Sequence, residues 1–249
     1  MTNDQLISDK IQKIISQLAE YTKKAGFARA VVGLSGGVDS ALVAKLGVMA
    51  FGKKNVTALI LPNEGMNKPQ NVQDALDWAK ELGIANNTIL INPFIEAYEK
   101  LPWPSSSLAR MNIQARVRMT LLYHYANTHN AIVLGTGNKT ELTLGYFTKY
   151  GDGATDILPI GDLYKTDVWK MSQELKLPPV IIHKTASAEL MHDQTDEAEI
   201  GMEYAEIDAI LKKFEKGGKP SDEAERKLFE RMMVNQHKNS SPPIIRLGN

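Results

Sequence analysis

Apolar positions along the chain recur at two alternating spacings. Over residues 3 to 25, Ile7, Ile11, Ile14, Ile15, Leu18 and Thr22 fall at helical intervals, which predicts an amphipathic helix with one buried stripe. A short run follows, Ala30-Val31-Val32-Gly33-Leu34, partly β-branched and cut off by Ser35-Gly36-Gly37, and it predicts a buried strand ending in a turn. Residues 38 to 51 return to the helical pattern, with Ala41, Leu42, Ala44, Lys45 and Leu46 as favourable helix formers. The alternation then repeats. Val56 to Leu61 predicts a strand stopped by Pro62, and Asn71 to Leu82 a helix closed by Gly83. Thr88 to Ile91 predicts a third strand. Met111 to Thr128 predicts a long helix with Ile113, Val117, Leu121 and Tyr125 on one face. Ala131 to Leu134 reads as a fourth strand, and Val168 to Leu175 belongs to a further helix. Strands separated by helices of this length need crossover connections, so the expected fold is α/β, a parallel twisted sheet with helices on both faces.

Past Pro178-Pro179 the character changes. Residues 181 to 195 look irregular, and 196 to 216 predict a helix carrying Ile200, Tyr204, Ile207 and Leu211. Gly217-Gly218-Lys219-Pro220 breaks it, a last helix is expected from Asp222 to Val234, and the tail from Asn239 is loop-like. With no internal repeat and no separating linker, residues 1–249 are expected to form one domain. Lys+Arg and Asp+Glu both number 29, which argues against sequence-independent nucleic-acid binding, because such binding runs on excess positive charge. Cysteine is absent, which removes disulfides, thiolate metal sites and thiol nucleophiles. Asp4, Asp9 and Glu20 interrupt any signal-peptide pattern, and no stretch approaches the ~20 apolar residues of a membrane span. A soluble cytoplasmic protein without a membrane partner is expected.

The hexapeptide Ser35-Gly36-Gly37-Val38-Asp39-Ser40 lies between a predicted strand and a predicted helix. Paired glycines allow a tight turn that bares backbone N–H groups, and the helix start adds its own unpaired N–H groups and positive dipole end. Such an assembly suits a phosphate. It lacks the lysine of a Walker A loop and is not G-x-G-x-x-G, so neither a standard P-loop nor a dinucleotide oxidoreductase is indicated. Two glycines alone would more simply be a strand-to-helix turn. The whole hexapeptide in this context instead resembles the SGGxDS signature of the PP-loop ATP pyrophosphatases, which split ATP between its α and β phosphates.

Gly135-Thr136-Gly137-Asn138-Lys139-Thr140-Glu141 follows the fourth strand, so Glu141 and Asp39 are expected at the same carboxyl edge of the sheet, where ligands of open α/β sheets bind. Two carboxylates beside a triphosphate suit Mg²⁺, although Glu141 is equally an acid in a helix's first turn after a Thr140 cap. If Asp162 caps the next helix, Lys165 falls in its first turn, where a cation is unfavourable unless an anion faces it. The stretch from Gly145 to Asp156 is too decorated for a simple connection, and Lys149 and Lys165, flanking the same loop, strengthen that reading. Asp152 and Asp156 lack EF-hand spacing, so calcium is rejected. The five histidines, His124, His129, His183, His192 and His237, form no metal-spaced pair.

Together, SGGVDS at 35–40, ARVRM at 115–119, GTxxxTE at 135–141, FTKYGDG at 147–153, Leu158-Pro159 leading to Lys165, and Asp196 to Gly201 resemble the ammonia-dependent NAD synthetase family, in the family's order over nearly the whole chain. The resemblance implies an adenine-nucleotide alpha-hydrolase-like (Rossmann-like) fold and a ligase forming a C–N bond. ATP would adenylylate the carboxylate of nicotinic acid adenine dinucleotide (deamido-NAD), releasing pyrophosphate, and ammonia would displace AMP to give NAD. It further implies that Gly33, Ser35, Gly36, Gly37, Asp39, Ser40, Thr136, Lys165 and Ser187 contact ATP, and that Asp39 and Glu141 hold Mg²⁺. Tyr21, Asn112, Arg116, Tyr123, Lys149, Asp152, Asp156 and His237 match positions contacting deamido-NAD, with Asp152 and Lys165 catalytic. A homodimer with the dinucleotide at its interface and mobile lids at 62–69 and 183–204 are implied as well.

The chain departs from the family pattern at Ile60, where many bacterial members carry Arg before Leu-Pro, at Val38 in place of a frequent Gln, and at Asn239 after His237-Lys238. Glutamine-dependent relatives carry a glutaminase domain with a cysteine nucleophile, which this chain lacks, so free ammonia is the expected nitrogen donor. Competing readings are other PP-loop chemistry, such as GMP synthesis or tRNA thiolation, and a nucleotide-binding module without chemistry. The first lacks a matching purine-nucleotide dimerisation module, cysteines or a basic surface; the second leaves Glu141, Lys165 and Asp152 without a joint purpose.

Overall fold

The computed structural model describes residues 3–187, 189–191 and 195–247, so His192 and part of the 183–204 segment lie outside the described residues. Four strands, β1 (Arg29–Gly33), β2 (Val56–Ile60), β3 (Ala85–Thr88) and β4 (Ala131–Leu134), form one sheet of order β3-β2-β1-β4. Every pairing is parallel, with Ala30 opposite both Val56 and Ile132. The helices are α1 (Asn3–Ala25), α2 (Val38–Phe51), α3 (Pro69–Leu82), α4 (Asn92–Glu99), α5 (Ser107–His129), α6 (Lys139–Leu144), α7 (Lys165–Glu174), α8 (Pro179–Ile182), α9 (Asp196–Ile200), α10 (Tyr204–Glu215) and α11 (Glu223–Asn235). None of the described helices is long and apolar enough to cross a membrane.

Because strand side chains alternate between faces, the sheet builds two cores. Ala30, Val32, Ala58, Ile60, Ile132 and Leu134 pack on one face beneath α1, α2, α3 and α7. Val31, Leu59, Leu61 and Val133 pack on the other against Val117 and Ala126 of α5, with Ile113, Leu121 and Tyr125 joining them. The fully buried Trp78 ties α3 to α2 by donating its indole N–H to the Ala41 carbonyl at 3.0 Å. A third cluster joins α10 and α11 to Leu144 and Tyr164.

Several expected boundaries shift. The third strand is Ala85–Thr88 and not Thr88–Ile91. As an edge strand it tolerates the polar Ala-Asn-Asn-Thr sequence, while Ile89 and Ile91 still donate to the Ile60 and Pro62 carbonyls and Ile91 is fully buried. The helix expected over 196–216 is two, because Gly201 takes a left-handed conformation at φ 83° and ends α9. Asn138, not Thr140, caps α6, and Tyr164, not Asp162, occupies the cap position of α7. Asp162 is solvent-exposed and pairs with Lys139.

The sheet order places the site. From β1 the chain winds to β2 and β3 on one side, then returns to add β4 on β1's other side. The loops after β1 and β4 therefore diverge at a topological switch point, where open parallel sheets bind ligands. Beyond β4, residue 157 bridges to Leu134, so the decorated 145–156 loop is brought back against this same edge.

Candidate active site

The turn after β1 needs its glycines. Gly36 has φ +82°, and a Cβ there would meet the Asn71 carbonyl oxygen at 2.2 Å, so only glycine fits. The Ser35 and Ser40 hydroxyls lie 3.0 Å apart, and Ser40 donates to the Gly37 carbonyl. Gly37 at the cap position of α2 offers no side chain to the helix N–H groups, leaving that end open to an anion.

The loop after β4 is built around Asn138, which is fully buried. Its side-chain oxygen accepts the Glu141 N–H at 3.0 Å, and Glu141 accepts the Asn138 N–H at 3.2 Å, forming a reciprocal capping box. The Asn138 amide also donates to Asp39 at 2.9 Å. One buried amide thus fixes both carboxylates.

Lys165 opens α7, buried to 2% exposure, with its ammonium 2.5 Å from Asp39 and 3.7 Å from Glu141. It lies 5.1 Å from the centre of the Tyr204 ring. Its backbone N–H donates to Thr140 Oγ1, whose hydroxyl donates to the buried Asp208 of α10 at 2.5 Å. The other Asp208 oxygen accepts the Thr166 N–H at 2.8 Å. Asp208 therefore anchors the starts of both α6 and α7, which carry Glu141 and Lys165.

Burial, and next the negative charge of Asp39, push the Glu141 carboxyl up to about 8. Burial alone would lower the Lys165 ammonium, yet the charges of Asp39 and Glu141 hold it above its ordinary value. Nearby, Asp196 accepts hydrogen bonds from Tyr204 at 2.9 Å and Tyr146 at 3.3 Å; burial raises its carboxyl, opposed by the charge of Lys165. Asp152 faces open space but lies deep among protein atoms, which raises its carboxyl, opposed by the Thr148 N–H it accepts.

These groups share a cavity of about 630 Å³. It is lined by Gly33, Ser35, Gly37, Asp39, Ser40, Thr136, Lys165 and Ser187 from the expected ATP set, by Glu141, expected with Asp39 as a metal ligand, and by Asn112 and Asp152 from the expected dinucleotide set. Gly36 shapes the loop behind the lining. Tyr21, Arg116, Tyr123, Lys149, Asp156 and His237 lie outside the cavity. Arg116 donates to the Lys149 carbonyl, Lys149 to the His237 carbonyl, and Tyr123 to Asp156. Lys149 therefore does not line the cavity that Lys165 lines. At the cavity Glu189 accepts from Asn67 of the 62–69 segment at 3.0 Å and from Asn71 of α3 at 2.6 Å, and Gln114 of α5 donates to the Leu190 carbonyl. Lys184 donates to the Gly36 carbonyl at 2.8 Å and pairs with the buried Asp74.

Sequence reasoning missed Asn138, Arg118, Lys184, Asp196 and Asp208 as site residues. Asn138 and Arg118 stood inside motifs without a role, Asp196 stood in a quoted segment, and nothing local marks Lys184 or Asp208.

A model of the NAD synthase family matches residues 10–242. The chain belongs to that family. The NH(3)-dependent NAD(+) synthetase of Archaeoglobus fulgidus is 44% identical over 95% of this chain and 97% of its own. Among solved structures, the NMN synthetase of Francisella tularensis aligns with TM-score 0.89 and 38% identity, covering 97% of this chain and 99% of that one. The NH3-dependent NAD synthetase of Campylobacter jejuni, in complex with nitrate, aligns with TM-score 0.82 and 34% identity, covering 99% of this chain and all of that one.

Proposed function

We infer that this chain is an ammonia-dependent NAD synthetase. It amidates deamido-NAD in two steps, with ATP as the activating co-substrate. The observation that carries the reading is the convergence of the open α2 N-terminus, Asp39, Glu141 and Lys165 in a cavity that Asp152 also lines. A carboxylate is a poor acyl donor, and joining it to AMP supplies a good leaving group. The protein's work is to align two anions, neutralise them and exclude water.

In this reading the α2 start and the Ser35 and Ser40 hydroxyls bind the polyphosphate, and Lys165 neutralises it. Two hard oxygen donors fixed by one amide, with Glu141's affinity for protons raised by burial and then by the charge of Asp39, match the chemistry of a divalent cation. Among the described residues no group of three or more His, Cys, Asp or Glu side chains is poised for a metal. That fits Mg²⁺, which commonly takes one or two carboxylates and completes its shell with phosphates and water. Asp39 and Glu141 would hold it, and it would supply charge neutralisation at the phosphates. Burial raises the Asp152 carboxyl above its ordinary value, which weakens its repulsion of an acid substrate. The Asn67–Glu189 bond joins the two segments that would close over the bound substrates, and Asn71 of α3 holds the same Glu189.

A homodimer fits the exposed apolar residues Phe94, Tyr98, Trp103 and Leu108 on and between α4 and α5, which ask for cover. Arg116, Tyr123, Lys149, Asp156 and His237 would then meet the dinucleotide outside the cavity. ATP as co-substrate fits a cytoplasmic enzyme.

The likeness to the Francisella NMN synthetase favours a second reading, in which the acid is nicotinate mononucleotide. One experiment separates the possibilities. The chain is given ATP, Mg²⁺ and ammonium with deamido-NAD, nicotinate mononucleotide or XMP, and AMP release is followed. Preferred turnover of deamido-NAD is expected; preference for the mononucleotide would establish the second reading, and turnover of XMP alone would refute both.

A further inference from the structure

Arg118 of α5 lines the cavity from the face of the sheet opposite α2. Its Nε donates to the Leu61 carbonyl at 2.9 Å and its Nη2 to Asn67 Oδ1 at 3.1 Å. A guanidinium carries five N–H donors, so much of its fork is unused. Among the described residues it makes no salt bridge, although it feels the charges of Asp152 and Glu189. Glu189 is engaged by Asn67 and Asn71, and Asp152 by the Thr148 N–H. Burial lowers the group to about 10, which still leaves it charged at neutral pH. A desolvated cation without a bound counter-ion is costly, so the site is prepared for an anion from outside the chain.

Two anions meet in the proposed reaction. The polyphosphate already has the α2 start and Lys165. The substrate's carboxylate has no other assigned cation, and it would come beside Asp152. The planar guanidinium fork matches a carboxylate edge and a phosphoryl oxygen pair equally well.

We propose that Arg118 is a catalytic residue that binds the carboxylate of the acid substrate and stays on the acyl-phosphate oxygens as the adenylate forms. This rests on the adenylylation reading above. A carboxylate oxygen forms a bond to the α phosphorus while the bond from that phosphorus to the pyrophosphate oxygen breaks, its electron pair leaving with pyrophosphate. Ammonia then forms the C–N bond, AMP leaves with the C–O pair, and the nitrogen loses one proton. Arg118 transfers no proton in either step.

The test compares R118A and R118K with wild type, using the acid that wild type turns over. The expected result for R118A is a drop of about 10²–10³ in kcat/KM for the acid, with affinity for a non-hydrolysable ATP analogue kept within about threefold. Free guanidinium added to R118A should restore part of the rate, which a purely structural arginine would not allow. R118K, which keeps the charge but not the fork, should lose at least about tenfold and carries the test if R118A does not fold. Wild-type kcat/KM in either folded variant, or a loss confined to ATP affinity, overturns the assignment. Turnover by wild type together with normal turnover by the variants overturns Arg118 alone. A wild type inactive on every acid overturns the adenylylation reading and this proposal with it.

Discussion

Replacing Asp39 with Asn tests how charge is shared in the site. Asp39 accepts the Lys165 ammonium at 2.5 Å and the Asn138 amide at 2.9 Å. Burial and then Asp39's own charge push the Glu141 carboxyl up to about 8, so at pH 7 Glu141 mostly holds its proton and the ion pair is Asp39 with Lys165. When the Asp39 charge is removed at constant shape, Glu141 loses its repelling neighbour, releases its proton and takes over Lys165, already 3.7 Å away. The total charge of the cluster is conserved. The fold should therefore lose about one charge-assisted hydrogen bond, roughly 1.5–3 kcal/mol, instead of the ~3–5 kcal/mol of an orphaned buried charge. The pH dependence carries the sharper signature. A carboxyl whose pKa is raised on folding takes up a proton on folding, so its stabilisation is full below its unfolded value of 4.5 and is lost as pH rises through about 8. Wild-type stability measured in chelator should fall across that window, and D39N should flatten the fall. Urea midpoints of both proteins from pH 5 to 9 read this directly. Parallel curves, or a D39N protein unfolded at pH 7, would refute the charge-sharing argument. Adenylate formation by D39N should drop by about 10²–10³, since the residue is assigned to the reacting phosphates.

Gly36→Ala should cost about 1–3 kcal/mol or more through left-handed backbone strain, because its Cβ would also meet the Asn71 carbonyl at 2.2 Å. Thermal melts and ATP affinity should fall together, and an unchanged melt would contradict the turn geometry. Asp208→Ala removes the acceptor of the Thr140 hydroxyl and the Thr166 N–H, so it should destabilise by about 1–3 kcal/mol and lower kcat, although Asp208 is not placed to touch substrate; an unaltered melt and rate would remove its anchoring role. Ammonium chloride should support NAD formation while ammonia-free glutamine should not; robust turnover on glutamine alone would overturn the assigned nitrogen donor.

The parallel sheet was legible because Ala30 to Leu34, Val56 to Leu61 and Ala131 to Leu134 are short apolar runs separated by helical spacing. The edge strand was misplaced because pairing there needs only backbone groups, so Asn86 and Asn87 serve while the apolar Ile89 and Ile91 follow. The glycine loop was legible as a tight turn at an open helix start, because Gly36 and Gly37 mark both locally. The lysine's task was half legible: its position in a helix's first turn follows from sequence, but its partners, Asp39 and Glu141, are 126 and 24 positions away in the chain. Thr140 looked like a cap because hydroxyls cap helices, yet Asn138 wins with an amide that can serve two partners at once. Asp208 and Lys184 were invisible for one reason. Their partners come from other elements, and no spacing rule connects them.

The most direct test of the account is a rapid-quench experiment with α-labelled ATP, Mg²⁺ and deamido-NAD, first without ammonia and then with it added. The account predicts that pyrophosphate and a labelled dinucleotide–AMP adduct form before any ammonia is present, and that ammonium converts the adduct to NAD and AMP. Formation of ADP and phosphate in place of pyrophosphate, or no labelled adduct before ammonia, would contradict it.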